Sequence, residues 1–299
     1  MITLELLENV FEENGPKYFE YLSNKNRGGT NNQKGNTFEN FFTLYKIAEA
    51  FNKNIDPENI LFSSQTFCFV DDLVIEQTKG KIHRFYQIKD VANLEWNNRP
   101  GHSIKEDFIS QREIYLSIGI DPYLRLVVSN KDVYDHLISS IDEDIRDFIQ
   151  VVNFETATSL NNLIRKNDSL RKELFKMCAL NNPSADKLNT LGAILLGAWD
   201  STDKRAISLK DLLDIGYRQN PHYIKGSFAK ISGKLEGIFK DVDGFSYELE
   251  AGFLKWSFKN TDEGVLQYRI GSFEFEQWEN DVFNAIIKTF EDLELFLAS

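Results

Sequence analysis

Two acids interrupt an apolar run at Phe69-Val70-Asp71-Asp72-Leu73-Val74-Ile75. Burying carboxylates in such a run is expensive unless cations or hydrogen-bond donors meet them. Further along, Arg84-Phe85-Tyr86-Gln87-Ile88-Lys89-Asp90 alternates as an extended chain does. Phe85, Gln87 and Lys89 then share one face, and Tyr86 and Ile88 the other, so an amide and an ammonium project together. Upstream, Glu39 falls in the first turn of an aromatic-faced helix. Acids followed by Gln-x-Lys suit metal-dependent phosphodiester cleavage. Mg²⁺ or Mn²⁺ takes oxygen ligands, and Glu39, Asp72, Gln87 and the carbonyl of Ile88 are the candidate ligands. Lys89 is placed to orient or deprotonate the attacking water and to stabilise charge developing on the phosphate. Glu39, Asp72, Gln87 and Lys89 are therefore the candidate catalytic residues, with Asp71 the alternative to Asp72. Taken singly, each piece has a plainer use: an Asp pair guards a strand edge, and Glu39 meets a helix dipole.

The elements that must position these residues are legible in outline. Residues 2–13 predict a short helix that stops near Gly15-Pro16, and residues 23–37 an exposed loop rich in Asn and Gly. Thr37 caps a helix reaching about Asn52. Phe67–Ile75 and Ile82–Val91 read as strands of a hairpin around the polar Gln77–Lys81 turn. A helix over 104–118 leads to a buried parallel strand at Leu124–Ser129, and residues 132–180 read as irregularly helical. Helices at 188–199, 209–215 and 221–240, then a hairpin around Ala251-Gly252, suggest a winged-helix-like module closed by a helix at 283–297. The expected division is a first domain at 1–150 and a second, regulatory or interaction domain at 151–299.

The 299-residue chain has a net charge of −12, so bulk positive charge cannot hold it to nucleic acid. A DNA site must be local. Residues 79–105 carry Lys79, Lys81, Arg84, Lys89, Arg99 and Lys105 against Asp90 and Glu95, and residues 17–34 carry Lys17, Lys25, Arg27 and Lys34 against Glu20. Lys25, Arg27, Lys34, Lys79, Lys81, Arg84, Arg99 and Lys105 are the candidate phosphate contacts, expected to flank the site and to bind without sequence preference. In the second half, residues 204–240 hold eight bases against three acids and residues 241–299 hold four against thirteen, which suggests docking to a partner or a second copy. No apolar run is long enough to span a membrane, and the acidic N-terminal segment does not read as a signal peptide, so the cytoplasm is expected. Cys68 and Cys178 lack metal-site spacing and read as buried thiols. No Gly-rich phosphate loop is present to make the chain an NTPase.

Order and spacing together resemble the PD-(D/E)xK nuclease superfamily, over about residues 27–135. The matching segments are Phe38-Glu39, Asp71-Asp72-Leu73-Val74-Ile75, Tyr86-Gln87-Ile88-Lys89 and Leu126-Val127-Val128-Ser129-Asn130. The Gln-x-Lys form is similar to Mrr-type restriction enzymes. It is closer still to the double-stranded-DNA endonuclease domain of anti-phage effectors, the CD-NTase-associated nucleases of CBASS and the nuclease subunits of Lamassu-like systems. The resemblance favours Asp72 over Asp71. It implies a restriction-endonuclease-like α/β core of helix, three-strand meander, helix and strand. It also implies Mg²⁺-dependent cleavage of double-stranded DNA with low sequence specificity, as a defence effector. Control is then expected from homo-oligomerisation or from a protein partner, such as an SMC-like or helicase ATPase or a nucleotide-signal sensor. Asp90 stands where the family often has a basic residue. Two alternatives stay open: a site-specific restriction endonuclease, and a catalytically silent adaptor that acts through protein contacts.

Overall fold

The computed structural model describes residues 2–31, 37–53, 55–97, 103–220, 222–225, 231–250, 252–259 and 261–297. The chain opens with α1 (Leu4–Phe11) and α2 (Gly15–Asn31), joined by a single 3₁₀ turn. The first helix stops at Phe11, short of the Gly15-Pro16 expected to end it, and Pro16 stands instead in the first turn of α2, as suits a residue with no N–H to satisfy. Then come α3 (Thr37–Phe51), β1 (Ile60–Ser63), β2 (Leu73–Gln77), β3 (Ile82–Lys89), α4 (Ile104–Ser117) and β4 (Tyr123–Val128). Next are α5 (Lys131–Ser139), α6 (Glu143–Arg146), β5 (Ile149–Asn153), α7 (Leu160–Lys166), α8 (Asp168–Met177), α9 (Ala185–Asp200), β6 (Ile207–Ser208) and α10 (Leu209–Gln219). The chain continues through α11 (Gly233–Asp241), β7 (Phe245–Glu250), β8 (Phe253–Phe258), β9 (Asp262–Val265), α12 (Phe273–Asn284) and α13 (Phe290–Leu297).

The fold is α/β around a mixed six-stranded sheet of order β5-β4-β3-β2-β1-β6. β1, β2 and β3 form an antiparallel meander; β4 lies parallel to β3 and β5 parallel to β4. The β2–β3 turn uses Gly80 at φ +99°, a conformation open to glycine at no steric cost. α4 starts on a capping box in which Ser103 and Glu106 exchange side-chain and backbone bonds. Alternation along the strands sends Leu73, Ile75, Tyr86, Ile88 and Val127 to one face, against α3 and α8–α10. Val74, Phe85, Leu124, Leu126 and Val128 go to the other, against α1, α2, α4 and α5.

Several expected elements are corrected. The loop expected from residue 23 is helical as far as Asn31, and residues 32–36 lie outside the described residues. Buried ion pairs of Lys25 override the poor helix propensity of this Asn- and Gly-rich segment. The strand expected at Phe67–Ile75 begins only at Leu73, because the N–H groups of Phe69 and Val70 donate to Gln111 Oε1 on α4 and not to a neighbouring strand. β1 and β5 were not foreseen; both are short, and β5 lies in the stretch read as helical.

The winged-helix-like module does not form as expected. α9 and α10 bury Leu191, Leu195, Trp199, Leu212 and Leu213 in the same cluster as α3 and the sheet, and β6 extends the sheet beside β1. A boundary at 150 would cut β5; apolar packing divides instead after Ile224, the last residue of that cluster. A separate cluster joins α11, the three-stranded sheet β7-β8-β9, α12 and α13. The helix expected over 221–240 is helical only from Gly233 among the described residues, and that expected over 283–297 breaks between Asn284 and Phe290.

Candidate functional site

Asp72 sits one residue before β2, whose ladder to β3 ends at the pair Leu73–Tyr86. Beyond that pair the carboxylate, and not a strand partner, meets the next residues of β3. Asp72 Oδ2 accepts from the Ile88 N–H at 2.7 Å, from Gln87 Nε2, and from the Lys89 ammonium at 3.1 Å. Three consecutive residues thus converge on one oxygen, the two side chains among them sharing a strand face. Asp72 and Gln87 are buried, while the Lys89 side chain is 33% exposed. The site is sealed on the Gln87 side and opens to solvent at Lys89.

Glu39 reaches the same place from the first turn of α3. Its connection runs through a residue that the sequence did not single out. Gln65 Nε2 lies 3.4 Å from Glu39 Oε2 and 3.5 Å from Asp72 Oδ1, long contacts that put both carboxylates around one amide. Gln65 holds φ +52°, and its N–H donates to the Asp71 carbonyl, while Ser64 Oγ donates to the Asp72 carbonyl. The only signal in the sequence was the polar Ser63-Ser64-Gln65-Thr66 stretch ahead of an apolar run.

Asp71 points elsewhere. Lys25 Nζ on α2 lies 3.2 Å from Asp71 Oδ1 and 3.1 Å from Asp107 Oδ2 on α4, and it also donates to the Phe69 carbonyl. Tyr21 OH donates to the Asp107 carboxylate. Burial pushes the Asp71 carboxyl up to about 7, against the pull of Lys25, and the neighbouring Asp72 charge adds to the rise. Burial draws Lys25 down, but Asp71 and Asp107 together hold its ammonium above the ordinary lysine range.

The basic residues expected to flank the site scatter. Lys25 is spent on internal ion pairs, and its side chain is only 21% exposed. Lys105 pairs with Asp142 and Asp144 at 2.7 and 2.8 Å. Lys79 and Lys81 lie in the β2–β3 turn, about 25 Å from Lys89 at roughly 3.3 Å per strand residue. An antiparallel hairpin puts its turn at the end opposite to Asp72, so these two do not flank the site. Arg84 is stacked on the Tyr123 ring at 5.7 Å, on the sheet face opposite to Gln87 and Lys89. Lys34 and Arg99 lie outside the described residues, as does the side chain of Arg27. Asp90 accepts from Ser129 Oγ at 2.5 Å and takes no part in the Asp72 cluster. Both cysteines are buried and free, and burial pushes the Cys68 thiol up to about 12.

Among the described residues no group of three or more His, Cys, Asp or Glu forms a metal cluster. Glu39 and Asp72 could supply carboxylate oxygens here, Gln87 the oxygen of the amide whose Nε2 now donates to Asp72, and Ile88 its carbonyl. This all-oxygen set, two anionic and two neutral, suits a hard divalent cation and not zinc. No helix among the described residues is long and apolar enough to cross a membrane. Compared with known proteins, the chain matches no family model, no curated protein and no solved structure.

Proposed function

We propose that the chain is a divalent-cation-dependent endonuclease that cleaves double-stranded DNA with little sequence preference, and that it serves as the effector of an anti-phage defence system. The observation that carries this reading is the convergence of Gln87, Ile88 and Lys89 on Asp72, with Glu39 one amide away. These residues stand at the end of an antiparallel meander that is followed by a helix and a parallel strand. That element order supports the reading, since the resemblance implies a core of helix, three-strand meander, helix and strand.

Glu39, Asp72, Gln87 and the Ile88 carbonyl would hold Mg²⁺ or Mn²⁺, which would polarise the scissile phosphate and acidify a water. Of the three residues that converge on Asp72, Gln87 and Ile88 are buried and Lys89 reaches solvent. Its ammonium, already beside the anionic oxygen, orients the attacking water and meets the charge that develops on the phosphate. Gln87 and the Ile88 backbone fix the Asp72 carboxylate, so little reorganisation is needed when the phosphate arrives. Phosphate contacts come from few residues in a chain of net charge −12, so binding is weak and its salt dependence shallow. A chain with one such site cuts one strand, so double-strand cleavage calls for at least two copies, assembled or released by a partner.

One observation favours the silent-adaptor alternative: Asp72 Oδ2 is fully satisfied by protein donors, an arrangement that holds without any cation. Digestion of supercoiled plasmid in Mg²⁺ and in EDTA separates the readings. Random degradation in Mg²⁺ alone supports the proposed endonuclease. Discrete fragments support a site-specific enzyme, and intact plasmid under every condition supports the adaptor.

A further inference from the structure

The segment that presents Asp72 is held by side chains and not by a strand. Residues 67–72 form no ladder, and apart from the Cys68 thiol on the Val70 carbonyl their anchors come from residues outside the segment. Gln111 on α4 takes the N–H groups of Phe69 and Val70 at 2.9 and 3.2 Å. Lys25 on α2 takes the Phe69 carbonyl and the Asp71 carboxylate, and is itself braced by Asp107. Ser64 and Gln65 hold the carbonyls of Asp72 and Asp71 from the other side. Lys25 is the only cation within ion-pair distance of the Asp71 carboxylate among the described residues, and it links the residue before Asp72 to two helices at once.

We infer that Lys25 is a positioning residue for the proposed cation site: its ammonium clamps Asp71 to α2 and α4, and so fixes the adjacent Asp72 carboxylate against Gln87 and Lys89. This rests on the endonuclease reading, and it replaces the expectation that Lys25 contacts DNA phosphate. Without the ammonium, the buried Asp71 carboxylate loses the one cation within ion-pair distance of it among the described residues, and a segment with no ladder of its own shifts. A displacement of about 1 Å at a reacting centre costs about 100-fold in rate.

The test compares wild type, Lys25→Met and the double variant Lys25→Met/Asp71→Asn. The double variant removes one positive and one negative charge, so a change in cation affinity cannot come from net charge, and it leaves no unpaired Asp71 to prevent folding. Isothermal titration with Mn²⁺, without DNA, reads the site directly, and Asp72→Ala gives the zero. Steady-state cleavage separates kcat from KM. Both variants are expected to bind Mn²⁺ at least about tenfold more weakly and to lose about 100-fold in kcat at little-changed KM. If Lys25→Met does not fold, the double variant decides alone. Wild-type Mn²⁺ affinity and kcat in the double variant, or a rise in KM alone, would overturn the inference and leave the endonuclease reading standing. A wild-type protein that neither takes up Mn²⁺ nor cuts DNA sinks the reading and the inference together.

Discussion

Asp71 and Asp72 are adjacent and chemically identical, yet their surroundings are opposite. Asp72 meets an amide, a backbone N–H and the partly exposed ammonium of Lys89. Asp71 meets a largely buried ammonium that a second carboxylate already shares. The first set is exchangeable: its donors serve other acceptors if a cation or phosphate arrives, and Lys89 faces solvent. The second is closed, and nothing from solution is needed to complete it. A carboxylate pair in sequence thus resolves into one group beside a solvent-facing lysine, the cation ligand proposed above, and one that belongs to the fold. Burial of the partner lysine, and not the acid itself, makes the difference.

The largest expected effect sharpens this contrast. Asp72→Ala removes an anionic cation ligand and abolishes cleavage, while the melting temperature changes little, because a buried charge is relieved. Asp71→Ala leaves the Lys25 ammonium with Asp107 but without the Asp71 carboxylate that ties it to this segment, and losing a hydrogen bond to a charged group costs about 1.5–3 kcal/mol. Urea denaturation of the two variants reads the difference. Equal loss of stability in both would erase the distinction between the two clusters.

Next in size is Lys89→Ala, expected to lower turnover about 10²- to 10³-fold with DNA affinity almost unchanged, because the ammonium acts on developing charge. Normal turnover with weaker DNA binding, by filter binding and single-turnover rates, would make Lys89 an ordinary phosphate contact. Replacing Lys79 and Lys81 together by Ala is expected to leave the cleavage rate within about twofold, since the hairpin turn lies at the far end of β2 and β3. A tenfold loss would show that DNA reaches that turn.

The smallest effect lies away from the site. Burial works against the Glu49 charge, but Lys46 and Lys53 outweigh it and hold the carboxyl below its usual range. A carboxyl lowered on folding adds stability above its unfolded value, and that stability is lost as pH falls through the lowered one. Acid melts of Glu49→Gln should therefore lose less stability than wild type below about pH 4.5, by about 1 kcal/mol or less for these half-buried pairs. Identical acid limbs would contradict the assignment.

The candidate site was more legible in the sequence than the frame around it. Alternation alone put Gln87 and Lys89 on one face; Asp72 stood out as an acid interrupting an apolar run, preferred to Asp71 by the family resemblance, and Glu39 by its place at a helix start. Gln65 was not legible, because its role depends on a left-handed backbone in a loop. Lys25 was misread, since a lysine among Asn and Gly residues looks solvated until α2 and α4 close over it. The second half misled for a related reason. Leu191, Leu195 and Leu212 mark apolar faces, but periodicity does not say which partner covers them, and here it is the first sheet and α3. The division in packing between Ile224 and Ile231 falls inside the basic stretch 204–240, so the charge shift at 241 does not mark it.

The central claim is that the Asp72 cluster cuts DNA with a divalent cation. Its most direct test is the time course of supercoiled plasmid digestion in Mg²⁺ by wild type and by Asp72→Ala at equal concentration. The account predicts progressive degradation by wild type, stopped by EDTA, and intact plasmid with Asp72→Ala. Cleavage by Asp72→Ala at the wild-type rate, or no cleavage by a wild type that binds DNA and its partner, would contradict it.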